Sequence, residues 1–167
     1  MKFRKAVNED LEKAWDIVSS ARDHMVTIGR NQWSATYPTV EIVAKDIEDG
    51  NAFVIVDGEN IAAYGCVMLN GEPEYDKPWC EWDIDGDYIV VHRLAVSQSY
   101  RGKGLARMFF AEVEAMALSQ NVASLKVDTN HDNIEMLHLL PSIGFTRRGK
   151  VVYYGKNKRI AFEKKLT

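Results

Sequence analysis

Residues 90–110, VVHRLAVSQSYRGKGLARMFF, constrain the fold of this 167-residue chain more than any other stretch. The run Tyr88–Val96 is apolar on both faces and reads as a strand buried on both sides. A glycine-bearing turn follows, Ser97–Gly104, and leads directly into a helical pattern from Leu105 to about Gln120. The first amides of a helix have no partners inside it, and the helix dipole places partial positive charge there. Glycines let the backbone curl and let a ligand approach closely, while Arg101 and Lys103 add charge. These parts make a cradle for phosphate or pyrophosphate. A Walker loop would need Ser or Thr after GxxxxGK, which is absent, and a Rossmann fingerprint would need glycine where Arg107 stands.

The flanking pattern predicts an α/β domain over residues 1–167. Lys2–Val7 alternates as a first strand, and Asn8 or Asp10 is placed to cap the next helix. That helix carries Leu11, Ala14, Trp15, Val18, Ala21, Met25 and Ile28 as one apolar stripe and stops at Gly29. Thr39 caps a short helix through about Glu48. Ala52–Val56 and Asn60–Leu69 form a hairpin about Asp57-Gly58. After the 90–110 unit come a strand, Ser124–Thr129, a helix from Asp132 or Asn133 to Ile143, and a closing hairpin of Thr146–Tyr154 and Arg159–Lys165. Two late β-α-β passages imply parallel pairing among otherwise antiparallel hairpins. The expectation is a mixed α+β sheet flanked on both faces by about four helices.

Charge enters because it is unevenly spread. The net value of -3 comes from 24 acidic and 21 basic residues. Residues 71–87 hold seven carboxylates and one base, so the remainder carries 17 acids, 20 bases and a net of +3. Neither a strongly cationic nucleic-acid binder nor an acidic disordered chain fits this balance. No apolar run approaches the roughly 18–20 residues of a membrane span. The N-terminus lacks a secretory pattern, and Cys66 and Cys80 form no CxxC pair. A reducing cytoplasm is the expected setting, with Cys66 as a small core residue. No His or Cys spacing suits a metal, so none is expected.

Arg101-x-x-Gly104-x-Ala106 after Leu94-Ala95-Val96, followed by Asn133-x-x-Met136-x-x-Leu139-Leu140 and Gly144-Phe145, resembles the GNAT family, the Gcn5-related N-acetyltransferases. The pieces HRLAV, YRGKGLA, DNxxM and GF resemble an uncharacterised bacterial branch of it. The resemblance implies the family's acyl-CoA N-acyltransferase fold, acetyl-CoA as acyl donor and a primary amine as acceptor. It implies that the backbone of Leu94, Ala95 and Val96 pairs with the pantetheine arm, and that an amide near Val96 polarises the thioester carbonyl. Arg101, Gly102, Lys103, Gly104, Leu105 and Ala106 would hold the pyrophosphate, and Asn133 the pantetheine.

Two positions depart from the family pattern. Val90 stands where many members have a glutamate base, and Leu140 where they have a tyrosine acid. His92, on the strand face of Val90, is the substitute base, with a buried hydrogen-bonded histidine as the alternative. Arg93 points to the other face and is expected to pair with a carboxylate. His138 is expected at the surface. Tyr153 or Tyr154 is placed in the last hairpin as a proton donor or as packing, and water is another proton source. On the acceptor side the resemblance points to Trp33, Tyr37 and the acidic insert with Tyr75, Trp79, Glu81 and Trp82, a wall suited to a cationic amine. Loop packing for Trp33 and a solvated loop for the insert are the plainer alternatives. The rival functions are a non-catalytic acyl-CoA-binding module and an acyltransferase acting on a protein N-terminus or lysine. A homodimer through a sheet edge is compatible with the sequence, and neither nucleic acid nor membrane is an expected partner.

Overall fold

The computed structural model describes residues 1–167. Seven strands follow the hydrogen-bonded order β1-β2-β3-β4-β5-β7-β6 in one mixed sheet, with four α-helices, the α/β class expected. By internal packing the chain divides into two compact units, Met1–Val67 with His92–Val113, and Met68–Val91 with Glu114–Thr167.

In the first unit, β1 (Lys2–Lys5) runs antiparallel to β2 (Ala52–Asp57), which turns back into β3 (Asn60–Leu69). Helix α1 (Leu11–Thr27) turns Ala14, Val18 and Ala21 of the predicted stripe inward together with Ile17, which that stripe did not include, while Ile28 beyond its end is exposed. Helix α2 (Val40–Glu48) is capped by Thr39, whose side chain accepts from the Ile42 amide. Val18 and Val43 pack with Trp33, Val54, Tyr64 and Ala95 in one apolar cluster. Each fully buried valine contributes about 1.5–3 kcal/mol of apolar transfer.

The expected α1 cap is not made. Asp10 turns back, accepting from the Val7 amide at 2.8 Å and from Arg4 at 2.7 and 3.0 Å. A guanidinium within reach is a better partner for a carboxylate than a second helix amide.

β4 (Ile89–Val96) begins in the second unit, where it pairs in parallel with β5 (Ser124–Thr129) at Ile89↔Leu125 and Val90↔Lys126. Helix α4 (Ile134–Ser142) leads to β6 (Thr146–Tyr153) and β7 (Asn157–Lys165). The second predicted parallel pairing is replaced. β7 lies between β5 and β6 and is antiparallel to both, because the closing hairpin folds back into the gap. Cys66, in the first unit, is fully buried, and His138, in the second, is exposed.

The acidic insert is anchored at a few points, while Asp76, Glu81, Asp83, Asp85 and Asp87 stay exposed. Tyr75 is buried, the Glu81 amide donates to the Arg148 carbonyl at 3.0 Å, and Trp82 Nε1 donates to the Tyr75 carbonyl at 3.0 Å. The Glu163 carboxylate, on β7, accepts from the Asp83 amide at 2.6 Å and the Ile84 amide at 3.2 Å.

Candidate functional site

The sequence-predicted turn lies in the first unit. β4 does not run regularly into it, because Arg93 adopts φ 53°, a left-handed conformation rare for a residue with a Cβ. The two-residue alternation is therefore broken between His92 and Leu94. The Arg93 side chain reaches α2. Nε donates to Asp46 at 2.9 Å, Nη2 donates to its other oxygen at 2.6 Å, and Nη1 donates to the Tyr37 hydroxyl at 3.2 Å. Tyr64 completes the cluster by donating to Asp46 at 2.6 Å. Burial, the largest influence, works against the Arg93 charge, but the hydrogen bonds to Asp46 together with the electrostatic pull of Cys66, Tyr37 and Asp46 outweigh it and hold the guanidinium protonated. Burial and the Asp46 charge push the Tyr64 hydroxyl far above its usual range. Arg93 thus has the carboxylate expected of it, and the partner comes from the apolar face of α2.

Beyond β4, the Ser97 amide donates to the Ala62 carbonyl at 2.9 Å, and a 3₁₀ turn, Gln98–Tyr100, reverses the chain. Gly102 and Gly104 have φ 73° and 76°, and a Cβ built on either meets nothing within 4 Å. The backbone of the turn is open to approach beside both glycines. Residues 101–104 are exposed, and Leu105 then buries its side chain as the first residue of α3 (Leu105–Ser119). Lys103 lies over the Tyr100 ring at 5.1 Å. Val96 borders a cavity of about 170 Å³ shared with Ser20, Ala21 and Gln98. His92 is half-buried. Backbone amides, a dipole and two cations converge here, a chemistry suited to a pyrophosphate.

Trp33 is 6% exposed and packs in the core of the first unit. Tyr37, 40% exposed, is brought to Arg93 as described. Asn133 belongs to the second unit and caps α4, its side chain accepting from the Met136 amide at 3.3 Å. Val90 and Leu140 are fully buried.

Glu81 belongs to the insert, where a second cluster appears. Glu74 pairs with Lys77 at 2.9 Å, Asp87 accepts from Asn70 at 2.9 Å, and Asp83 pairs with Arg148. Asp76, Glu81 and Asp85 have no such partner and line a cavity of about 470 Å³ with Trp82, Tyr88 and Lys126. Lys126 is 4% exposed, and its Nζ stands 4.2 Å from the ring centres of both Trp82 and Tyr88. Burial lowers its pKa, against the attraction of Glu163, Asp76 and Asp85. Two cation–π contacts of roughly 0.5–2 kcal/mol each hold the ammonium between these rings. The aromatic and acidic wall expected to meet an acceptor amine therefore already holds the protein's own cation. Beside it, Asp128 accepts from Tyr75 at 2.7 Å and from Tyr153 at 2.6 Å. Both hydroxyls are pushed above their usual range by burial and by that carboxylate. Tyr154 is almost fully exposed.

Asp46, Lys126 and Asp128 were missed by sequence reasoning. For Asp46 the available signal was a charge on a face otherwise apolar, beside Val43 and Ile47; Lys126 and Asp128 share the polar face of the strand Ser124–Thr129 with Ser124 and gave no such signal.

A family model described as the Acetyltransferase (GNAT) family matches residues 12–145. The Bacillus subtilis (strain 168) protein described as Uncharacterized N-acetyltransferase YesJ is 34% identical over 104 residues, 60% of this chain and 56% of that protein. An Escherichia coli streptothricin acetyltransferase is 28% identical over 94 residues, 54% of this chain and 51% of that protein. The chain thus spans about half the length of the curated relatives it matches. Among solved structures, a GNAT-family acetyltransferase from Streptococcus agalactiae 2603 superposes with a TM-score of 0.86 at 27% identity, covering 99% of this chain and 95% of that one. No helix is long and apolar enough to cross a membrane. With well over half of its residues inside the family model, the chain belongs to the acetyltransferase (GNAT) family.

Proposed function

We propose that this chain transfers an acetyl group from acetyl-CoA to a primary amine by direct attack of the amine on the thioester. The observation that carries the reading is the open, cationic turn at 101–104, with space beside both glycines and α3 starting at its end. The pyrophosphate would lie on the amides of 102–106 with Arg101 and Lys103 beside it. The backbone of Leu94, Ala95 and Val96 lies past the two β5 register pairs and would take the pantetheine arm as an added strand. Asn133 is carried over from the resemblance as a second pantetheine contact.

In the reaction, the amine lone pair forms the new C–N bond at the thioester carbon. The Val96 amide stabilises the negative charge that develops on the carbonyl oxygen. The C–S bond then breaks, and the sulfur leaves as a thiolate that is protonated by solvent. His92 takes the proton of the attacking amine as general base. Tyr37 would stand on the acceptor side, beside the bulged strand.

The complete burial of Val90 and Leu140, where the family commonly has its acid and base, favours a second reading: a module that binds acyl-CoA without turning it over. Calorimetric titration with acetyl-CoA and thiol release on a panel of amines separate the two. The acetyltransferase reading expects binding, amine-dependent thiol release and roughly tenfold weaker binding for Arg101→Ala, since a charge-assisted contact is worth about 1.5–3 kcal/mol. Tight binding without release on any amine is the result of a binding module, and absence of binding overturns both.

A further inference from the structure

The Lys126 cavity lies wholly in the second unit. Its three unpaired carboxylates would not by themselves make a site. Lys126 supplies the independent observation: it is 96% removed from solvent, lines the cavity, and has aromatic faces but no hydrogen-bond acceptor for its Nζ. An ammonium that lines the cavity with unused donors offers a seat for an oxygen. The carboxylates of Asp76, Glu81 and Asp85 call for a positive charge, and they outnumber the one lysine. A metal ion does not satisfy both demands, because the lysine would repel it. A molecule with an ammonium and a carbonyl or carboxylate oxygen does.

We propose that this cavity binds a small ligand bearing both groups, of the α-amino acid amide or peptide N-terminus class. Its oxygen accepts from Lys126 Nζ, and its ammonium lies among Asp76, Glu81 and Asp85. Trp82 and Tyr88 flank the lysine and fix the direction from which the oxygen must come. The volume of about 470 Å³ is within the range of small-molecule sites. Identifying this ligand with the acceptor amine rests on the proposed acetyl transfer; the binding itself does not.

The test is calorimetric titration of the full chain, without acetyl-CoA, using three matched probes. L-leucinamide has both groups, 3-methylbutylamine lacks the carboxamide, and 4-methylpentanamide lacks the amine. Leucinamide is expected to bind at least tenfold more tightly than either of the others. Lys126→Met removes that advantage and leaves 3-methylbutylamine binding within twofold of the parent. The Glu81→Gln/Asp85→Asn double variant weakens both amines by tenfold or more and leaves the amine-free amide unchanged. Far-UV circular dichroism checks that the variants are folded, and the probe preference of the parent protein needs no variant. Equal affinity for the three probes, no binding, or a leucinamide preference that survives Lys126→Met overturns the proposal. Thiol release on an amine panel is read separately. Turnover without the leucinamide preference sinks this site alone, and the preference without turnover sinks only the acetyl-transfer reading.

Discussion

Arg93 is held in its left-handed backbone conformation by Asp46, which accepts from its Nε and Nη2 at 2.9 and 2.6 Å. The ion pair joins α2 to the one irregular residue of β4, immediately before Leu94–Val96. Left-handed backbone costs an ordinary residue roughly 1–2 kcal/mol, so the bulge persists only with such a hold. Asp46→Ala strips the buried guanidinium of its counter-charge and leaves Tyr64 without its acceptor. It is expected to destabilise the chain by about 3–5 kcal/mol in urea denaturation. A loss under about 1 kcal/mol, the range of an exposed pair, would show that the pair is not structural.

Gly149 bears on the insert in the same way. Its φ is 146°, and a Cβ built there would come within 2.5 Å of the Trp79 carbonyl oxygen and 3.1 Å of Cys80 Cα. Both neighbours are backbone atoms, so the insert must move off β6. Gly149→Ala is expected to cost about 1–3 kcal/mol and to shift tryptophan fluorescence, because Trp79 and Trp82 flank the contact. An unchanged melting temperature and spectrum would place the insert loosely on the strand.

Three of the seven tyrosines donate to buried or half-buried carboxylates: Tyr64 to Asp46, and Tyr75 and Tyr153 to Asp128. All three are held above their usual pKa, with burial the largest cause. An acid raised on folding contributes stability that is present below its unfolded value, about 10, and lost as pH rises through the folded one. Denaturation midpoints are therefore expected to fall steadily above about pH 10, and ultraviolet titration to show tyrosines that ionise only on unfolding. Ionisation of all tyrosines near pH 10 in the folded chain would refute the assignment.

Burial pushes the Cys66 thiol up to about 12, and burial with the nearby Asp128 carboxylate pushes Cys80 up to about 11. Thiolate is the reactive form, so at pH 7.5 both are expected to react far more slowly than a free thiol and to become reactive in urea. Rapid labelling of Cys80 in the native chain would mean that the insert opens readily.

The parts legible in the sequence are those set by local chemistry. The strand, turn and helix of 90–110, the Thr39 cap of α2 and the Asn133 cap of α4 each depend on neighbours within a few residues. Asp10 was misjudged because its stronger partner, Arg4, competes with the helix amides. The place of β7 between β5 and β6 is a long-range pairing that periodicity does not encode. The Arg93 bulge was hidden because nothing in HRLAV departs from a strand pattern; its cause is a carboxylate 47 residues earlier. Most carboxylates of the insert are exposed, in keeping with its composition, but its anchor was not legible, because Glu163, which accepts two of its amides, comes from the far end of the chain. For the candidate site, residue types and order were readable at the turn. The aromatic seat of Lys126 was not, since Trp82 and Tyr88 reach it only across the folded second unit.

Turnover with an isotopically labelled donor tests the central claim most directly. The protein is mixed with carbon-13-acetyl-CoA and the amine panel, thiol release is followed, and products are weighed by mass spectrometry. Acetyl transfer predicts thiol release in step with a labelled N-acetyl product, lost together in Arg101→Ala at limiting acetyl-CoA. Acetyl-CoA that binds and stays intact with every amine, or thiol released with only free acetate, would contradict it.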